Sequence, residues 1–158
     1  MDNNRTVGIN IYSIILQQII SLLNLSLSDI RQKYINYPHC LMDYFEKETE
    51  EKSIEIRFDQ EEITITCSFN EDSKCTFIYL FTDKYEFIEE FISFLKDTYD
   101  YDFIKNRWRE PTCYIQVKEI SHLPNDICLM FYSIIQQKRQ ATKKSSRTNS
   151  EGFCILCG

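Results

Sequence analysis

Cys154 and Cys157 enclose two apolar residues in the closing stretch FCILCG, the C-x-x-C spacing of zinc knuckles and thiol redox motifs. Zinc takes four ligands, and no second Cys or His pair stands nearby in sequence. A thioredoxin-type pair opens a helix after a strand, whereas this one follows the polar run KRQATKKSSRTNSEG. Prenylation needs its cysteine fourth from the end, and that place is held by Ile155. Acylation of Cys154 or Cys157 fits the setting better. Lys138, Arg139, Lys143, Lys144 and Arg147 would add the electrostatic attraction that a single lipid chain needs.

Other reactive side chains are scattered. His39 and His122 are the only histidines, each within two residues of a proline in an expected loop. A nucleophilic pair drawn from His39 and Cys40, or from Cys128, lacks a local oxyanion hole, and adjacent residues on a regular element face apart. Glu46, Glu48, Glu50 and Glu51 read as the solvated end of a helix. Asp97, Asp100 and Asp102 read as a polar connection between a helix and a strand. No residue set is expected to hold a metal or cofactor.

The glycine distribution narrows the chemistry further. Gly8, Gly152 and Gly158 are the only three, so residues 9–151 contain none. Loops that cradle phosphates need backbone approach that a Cβ obstructs, so the P-loop, the dinucleotide fingerprint, the nucleophile elbow and the EF-hand loop are absent. The seven cysteines form no disulfide-scaffold spacing, and no signal peptide is visible, which points to a reducing, cytoplasmic setting. Residues 1–137 hold 23 acids against 13 Lys and Arg, a charge of −10, while the rest carries five bases against Glu151, or +4. An acidic body argues against nucleic acid and suits a basic protein partner.

The elements follow from periodicity. Residues 6–28 are uncharged, but Asn10, Ser13, Gln17, Ser21, Asn24 and Ser28 recur every three or four places. That stripe suits a buried helix, or one shared with a second copy in a homodimer, better than a membrane span. A short helix capped near Ser28-Asp29 runs to Tyr37-Pro38, and LMDYFEKETEEK adds a further helical turn or two. From Ser53 the period becomes two, giving strands at Ile54–Phe58, Ile63–Phe69 and CTFIYLF in a meander. Asp83 and Glu86 form an expected capping box for a helix whose apolar face carries Phe87, Phe91 and Leu95. Tyr101–Trp108 and Cys113–Ile120 read as two strands around REPT. Pro124 and Asn125 open a last helix, with Ile127, Phe131, Ile134 and Ile135 inward. No internal repeat is apparent.

The expected fold is therefore α+β in the order α-α-βββ-α-ββ-α, a mainly antiparallel sheet with helices on one face. Residues 1–138 form a single domain and residues 139–158 a disordered, basic tail. The order, size and acidity resemble those of the small acidic chaperones of type III secretion. That resemblance implies a dimer that holds an extended partner segment. Toxin-neutralising immunity proteins share the size and charge.

The function expected is a non-catalytic, acidic protein-binding module, with Trp108, Tyr101, Tyr114 and Tyr99 as its interface anchors. The alternatives are a membrane-tethered factor, acylated at Cys154 or Cys157, and a thiol or metal-dependent enzyme.

Overall fold

A computed structural model of the chain describes residues 10–43 and 52–134. Two helices come first, α1 (Ile11–Leu22) and α2 (Leu27–Lys33). Four strands follow: β1 (His39–Asp43), β2 (Lys52–Phe58), β3 (Ile63–Phe69) and β4 (Cys75–Thr82). Helix α3 (Tyr85–Thr98) leads to β5 (Asp100–Asp102), β6 (Arg107–Arg109), β7 (Cys113–Glu119) and β8 (Ile127–Ser133). The strands make one antiparallel sheet ordered β1-β2-β3-β4-β8-β7-β6-β5. The fold is α+β, as the sequence implies.

The order differs from expectation in four places. Ile127–Ser133 is a strand, not a last helix, and it lies at the centre of the sheet between β4 and β7. Ile127, Cys128, Leu129, Met130, Phe131 and Tyr132 form an unbroken apolar run, which reads equally as a buried helix or as a strand buried on both faces. Residues 39–43 are strand β1 rather than the start of a helical turn. Tyr101–Trp108 is not one strand but a tight hairpin, β5 and β6 around residues 103–106. The uncharged helix stops at Leu22, because Asn24 turns into the left-handed region at φ 72° and Ser26 then caps α2. The acidic residues 46–51 and the tail 139–158 lie outside the described residues.

With these changes the order reads as helices and a four-strand meander, given twice. The strands β4 and β8 meet as the central seam.

Alternation along the strands sorts side chains to the two faces. One face carries Ile54, Ile56, Ile65, Ile78, Leu80, Leu129, Phe131 and Ile115, all buried. On this face the Phe91 ring of α3 lies 6.2 Å from Phe131, and Tyr34, just past α2, lies 5.5 Å from Phe58. Helix α1 contributes Leu16, Ile19 and Leu22 to the same core, and its Tyr12 meets Phe87 and Phe91 of α3 at 5.3 Å each. Burying such rings supplies most of the driving force for folding.

Local capping sets the helix starts. Asn10 Oδ1 accepts the backbone N–H of Tyr12 at 2.8 Å and opens α1. The capping box expected from Asp83 does not form; Lys84 is the residue before α3, and Thr82 Oγ1 accepts its backbone N–H at 3.1 Å.

Candidate functional site

The second face of the sheet is set by the residues in register with one another. Phe77 opposes Tyr132, and Tyr132 opposes Tyr114; Tyr79 opposes Met130, and Met130 opposes Gln116. Phe81 continues the row on β4, opposite Thr64 of β3. These residues point away from the face on which Phe91 meets Phe131. The strand alternation that fills the core thus places the half-buried rings of Phe77, Tyr79, Phe81 and Tyr114 around the buried Tyr132 on the other side.

Arg107 organises these rings. From β6 its guanidinium carbon lies 3.5 Å from the centre of the Tyr114 ring, a close cation–π stack. Its Nη1 donates to the Tyr132 hydroxyl at 3.1 Å, and that hydroxyl donates to Gln116 Oε1 at 3.0 Å. The Tyr132 ring sits 5.5 Å from Phe77 and 5.6 Å from Tyr114, and only 6% of the residue remains exposed. Three strands are thereby tied by one side-chain network. Its rings are held rigid, which lowers the entropy lost when another surface settles on them.

The four interface anchors expected from sequence are divided between the faces. Trp108 is 3% exposed and belongs to the core, with Tyr101 packed edge-on at 4.9 Å. Tyr99 lies on the same side, 6.3 Å from Phe94 of α3. Burial raises its phenol above the ordinary value, with Glu110 adding to the shift. Tyr114 is on the second face, in the Arg107 network. Sequence reasoning missed Phe77 and Arg107 there. The signal existed in CTFIYLF, where Phe77, Tyr79 and Phe81 alternate with Ile78 and Leu80, but both sets are apolar and no polar residue marks the outer face.

The reactive side chains do not converge. His39 and Cys40 are consecutive on β1, and the His39 ring contacts the Tyr37 carbonyl at 2.8 Å. Cys128 is buried on β8, and burial pushes its thiol up to about 11. Cys75 meets Cys67 across β3 and β4, and that hydrogen bond together with burial raises the Cys75 thiol well above its ordinary value. Among the described residues no group of three or more His, Cys, Asp and Glu is placed to hold a metal ion. Cys154 and Cys157 lie outside the described residues.

Two surface depressions stand out. The smaller, about 170 Å³, is lined by Glu62, Asp83, Asp126, Thr64 and Phe81 at one end of the sheet. The larger, about 470 Å³, is an open groove beside α2 lined by Leu27, Arg31 and Ile35. Neither contains a histidine or a cysteine. No described helix is long and apolar enough to cross a membrane.

A scan against protein-family models, a search of curated proteins and a search of solved structures each return no match to this chain. The resemblance to type III secretion chaperones rested on element order, size and charge, and the element order of this chain is different.

Proposed function

We propose that the protein is a binding module for another protein and that the second face of its sheet is the surface it offers. The observation that carries this reading is the Arg107–Tyr114–Tyr132 network. Tyrosine and arginine dominate binding energy where they are rigid and partly desolvated, and here both are fixed before any partner arrives. Phe77, Tyr79 and Phe81 widen the patch along β4. The overall charge of −6 favours a partner with a basic rim around an apolar contact zone.

Self-association through α1 is a second form of the same reading. Ile11 and Ile14 are exposed on that helix while Ile15, Leu16 and Ile19 are buried, so an apolar edge is left beside the polar stripe.

Affinity capture from native lysate tests the proposal. The wild-type chain is compared with Arg107→Ala, Tyr79→Ala and the exposed control Lys96→Ala. A stoichiometric partner identified by mass spectrometry should be retained by the control and lost with both face variants. Equal capture by all three would place the interaction elsewhere. Sedimentation of the purified chain and of Ile11→Asp reports on the α1 contact separately.

A further inference from the structure

The strands β5 to β8 form a meander, so the β5–β6 turn and the β7–β8 loop emerge at the same end of the sheet, on neighbouring hairpins. Both carry large apolar residues into solvent. Phe103 is 82% exposed and Ile104 89%, while Leu123 is 68% and Ile120 49% exposed. Strands in one sheet lie about 4.8 Å apart, so the two tips are separated by roughly 10 Å. Four such side chains gathered at one end of the sheet are more than scattered surface hydrophobes.

Part of the backbone around them is satisfied within the turns themselves. Asp102 Oδ1 accepts the backbone N–H groups of Ile104 at 3.0 Å and of Lys105 at 3.1 Å. Asn106 closes the turn at φ 55°, and the Phe103 ring is buttressed by Tyr101 at 4.9 Å. In the second loop Ser121 Oγ accepts the Leu123 N–H at 3.1 Å, the Leu123 carbonyl accepts from Asp126 at 3.1 Å, and Ile120 donates to the Asp126 carbonyl at 2.8 Å. A segment that enters lipid must satisfy its backbone groups internally, because no water is there to do so.

We propose that this end of the sheet docks on a lipid bilayer, with Phe103–Ile104 and Ile120/Leu123 entering the interfacial zone side by side. Lys105 and Lys118 flank the tips on long apolar stems that keep their charges at headgroup level. Four side chains form a weak anchor, and stable attachment takes two signals. The second is available in the chain beyond Ile134, where Lys138, Arg139, Lys143, Lys144 and Arg147 precede Cys154 and Cys157. The positive charge there complements an anionic leaflet, which the acidic body does not. Chain length permits both contacts, since the 20 residues from Ile134 to Cys154 span up to about 66 Å when extended.

Flotation of the full chain with lipid vesicles tests this, using phosphatidylcholine alone and phosphatidylcholine with phosphatidylserine. The double substitution Phe103→Asp with Ile104→Asp and the single Leu123→Asp change only exposed side chains, and circular dichroism checks that the fold persists. The wild type should float with both vesicles, more on the anionic one at low salt. The double substitution should reduce the bound fraction about tenfold on phosphatidylcholine, and added salt should leave the loop contribution unchanged. Wild-type chain that floats with neither vesicle would overturn the proposal. So would variants that float as well as wild type. If the substitutions leave flotation unchanged but convert a sedimenting dimer to monomer, these tips contact a second copy and the proposal is wrong. None of these outcomes touches Arg107 or Tyr79, so the protein-binding reading stands or falls on its own experiment.

Discussion

Arg107 reaches over β7 to Tyr132 on β8, its Nη1 3.1 Å from the phenol oxygen, with Tyr114 of the intervening strand stacked beneath at 3.5 Å. One side chain thereby spans three strands near the outer edge of the sheet. A double-mutant cycle on Arg107→Ala and Tyr132→Phe should give a coupling energy of about 0.5–1.5 kcal/mol in urea unfolding. Arg107→Lys should recover little of it, because an ammonium keeps the charge but neither the planar stack nor the fork of donors. Additive single effects would mean that the contact is incidental.

Glu110 does comparable work in the loop between β6 and β7. Its Oε1 accepts the Thr112 N–H at 2.6 Å, the Thr112 hydroxyl at 2.8 Å and the Cys113 N–H at 3.2 Å, and the residue is 7% exposed. A buried carboxylate with several donors is structural, and truncation orphans all of them. Glu110→Ala should destabilise the fold by about 1–3 kcal/mol. Glu110→Gln keeps an acceptor oxygen in place and should cost less. Equal losses from the two variants, measured by chemical denaturation, would show that the negative charge and not the acceptor matters.

The parts of the fold that periodicity could reveal were those with one wet face. Ile54, Ile56 and Phe58 alternate with charged residues, and Ile63 to Phe69 alternate with threonines; both strands are found where the pattern places them. Helix α3 was equally legible from Phe87, Ile88, Phe91 and Leu95. Strand β8 was not, because a central strand packed by Phe91 on one side and flanked by Phe77 and Tyr114 on the other has no polar alternation to betray its period. The Arg107 network failed to show for a different reason. Arg107, Tyr114 and Tyr132 meet through strand register, and a register is set by pairings between distant segments that no local window contains.

The chain has no glycine from residue 9 to residue 151, and its turns are made at a conformational cost. Asn24, Glu62, Ser73 and Asn106 take positive φ, at 72°, 59°, 59° and 55°. Asparagine tolerates this region, whereas serine and glutamate gain nothing from it. Ser73 sits in the β3–β4 turn, where its N–H donates to the Asn70 carbonyl at 2.9 Å and its own side chain is exposed. Ser73→Gly should stabilise the protein by about 0.5 kcal/mol, the relief of strain offset by added unfolded-state entropy. Ser68→Gly, inside β3, should cost about 0.5–1 kcal/mol. Thermal unfolding of the two variants should therefore shift in opposite directions, and a fall in both would mean that the turn at Ser73 carries no strain.

Thiol titration should make the fold sensitive to alkali. Burial holds the Cys113 thiol neutral far above its ordinary value, with Glu110 adding to the effect, and burial raises Cys128 to about 11. Cys75 is raised by its hydrogen bond to Cys67 and by burial. Once the pH passes the ordinary thiol value of 9.0, the unfolded chain loses these protons while the native state keeps them. The unfolded state then binds fewer protons, so stability falls as pH rises, by about 1.4 kcal/mol per unit for each such thiol. For Cys128 the fall ends near 11, where the native thiol ionises as well. Below 9.0 these groups leave stability unchanged. Alkylation near neutral pH offers a direct check by mass mapping. Cys40 is exposed on β1 and should be labelled readily, whereas Cys67, Cys75, Cys113 and Cys128 are buried and should be labelled only as fast as the protein opens. Rapid labelling of Cys113 in the native state would mean that β7 does not lie inside the sheet.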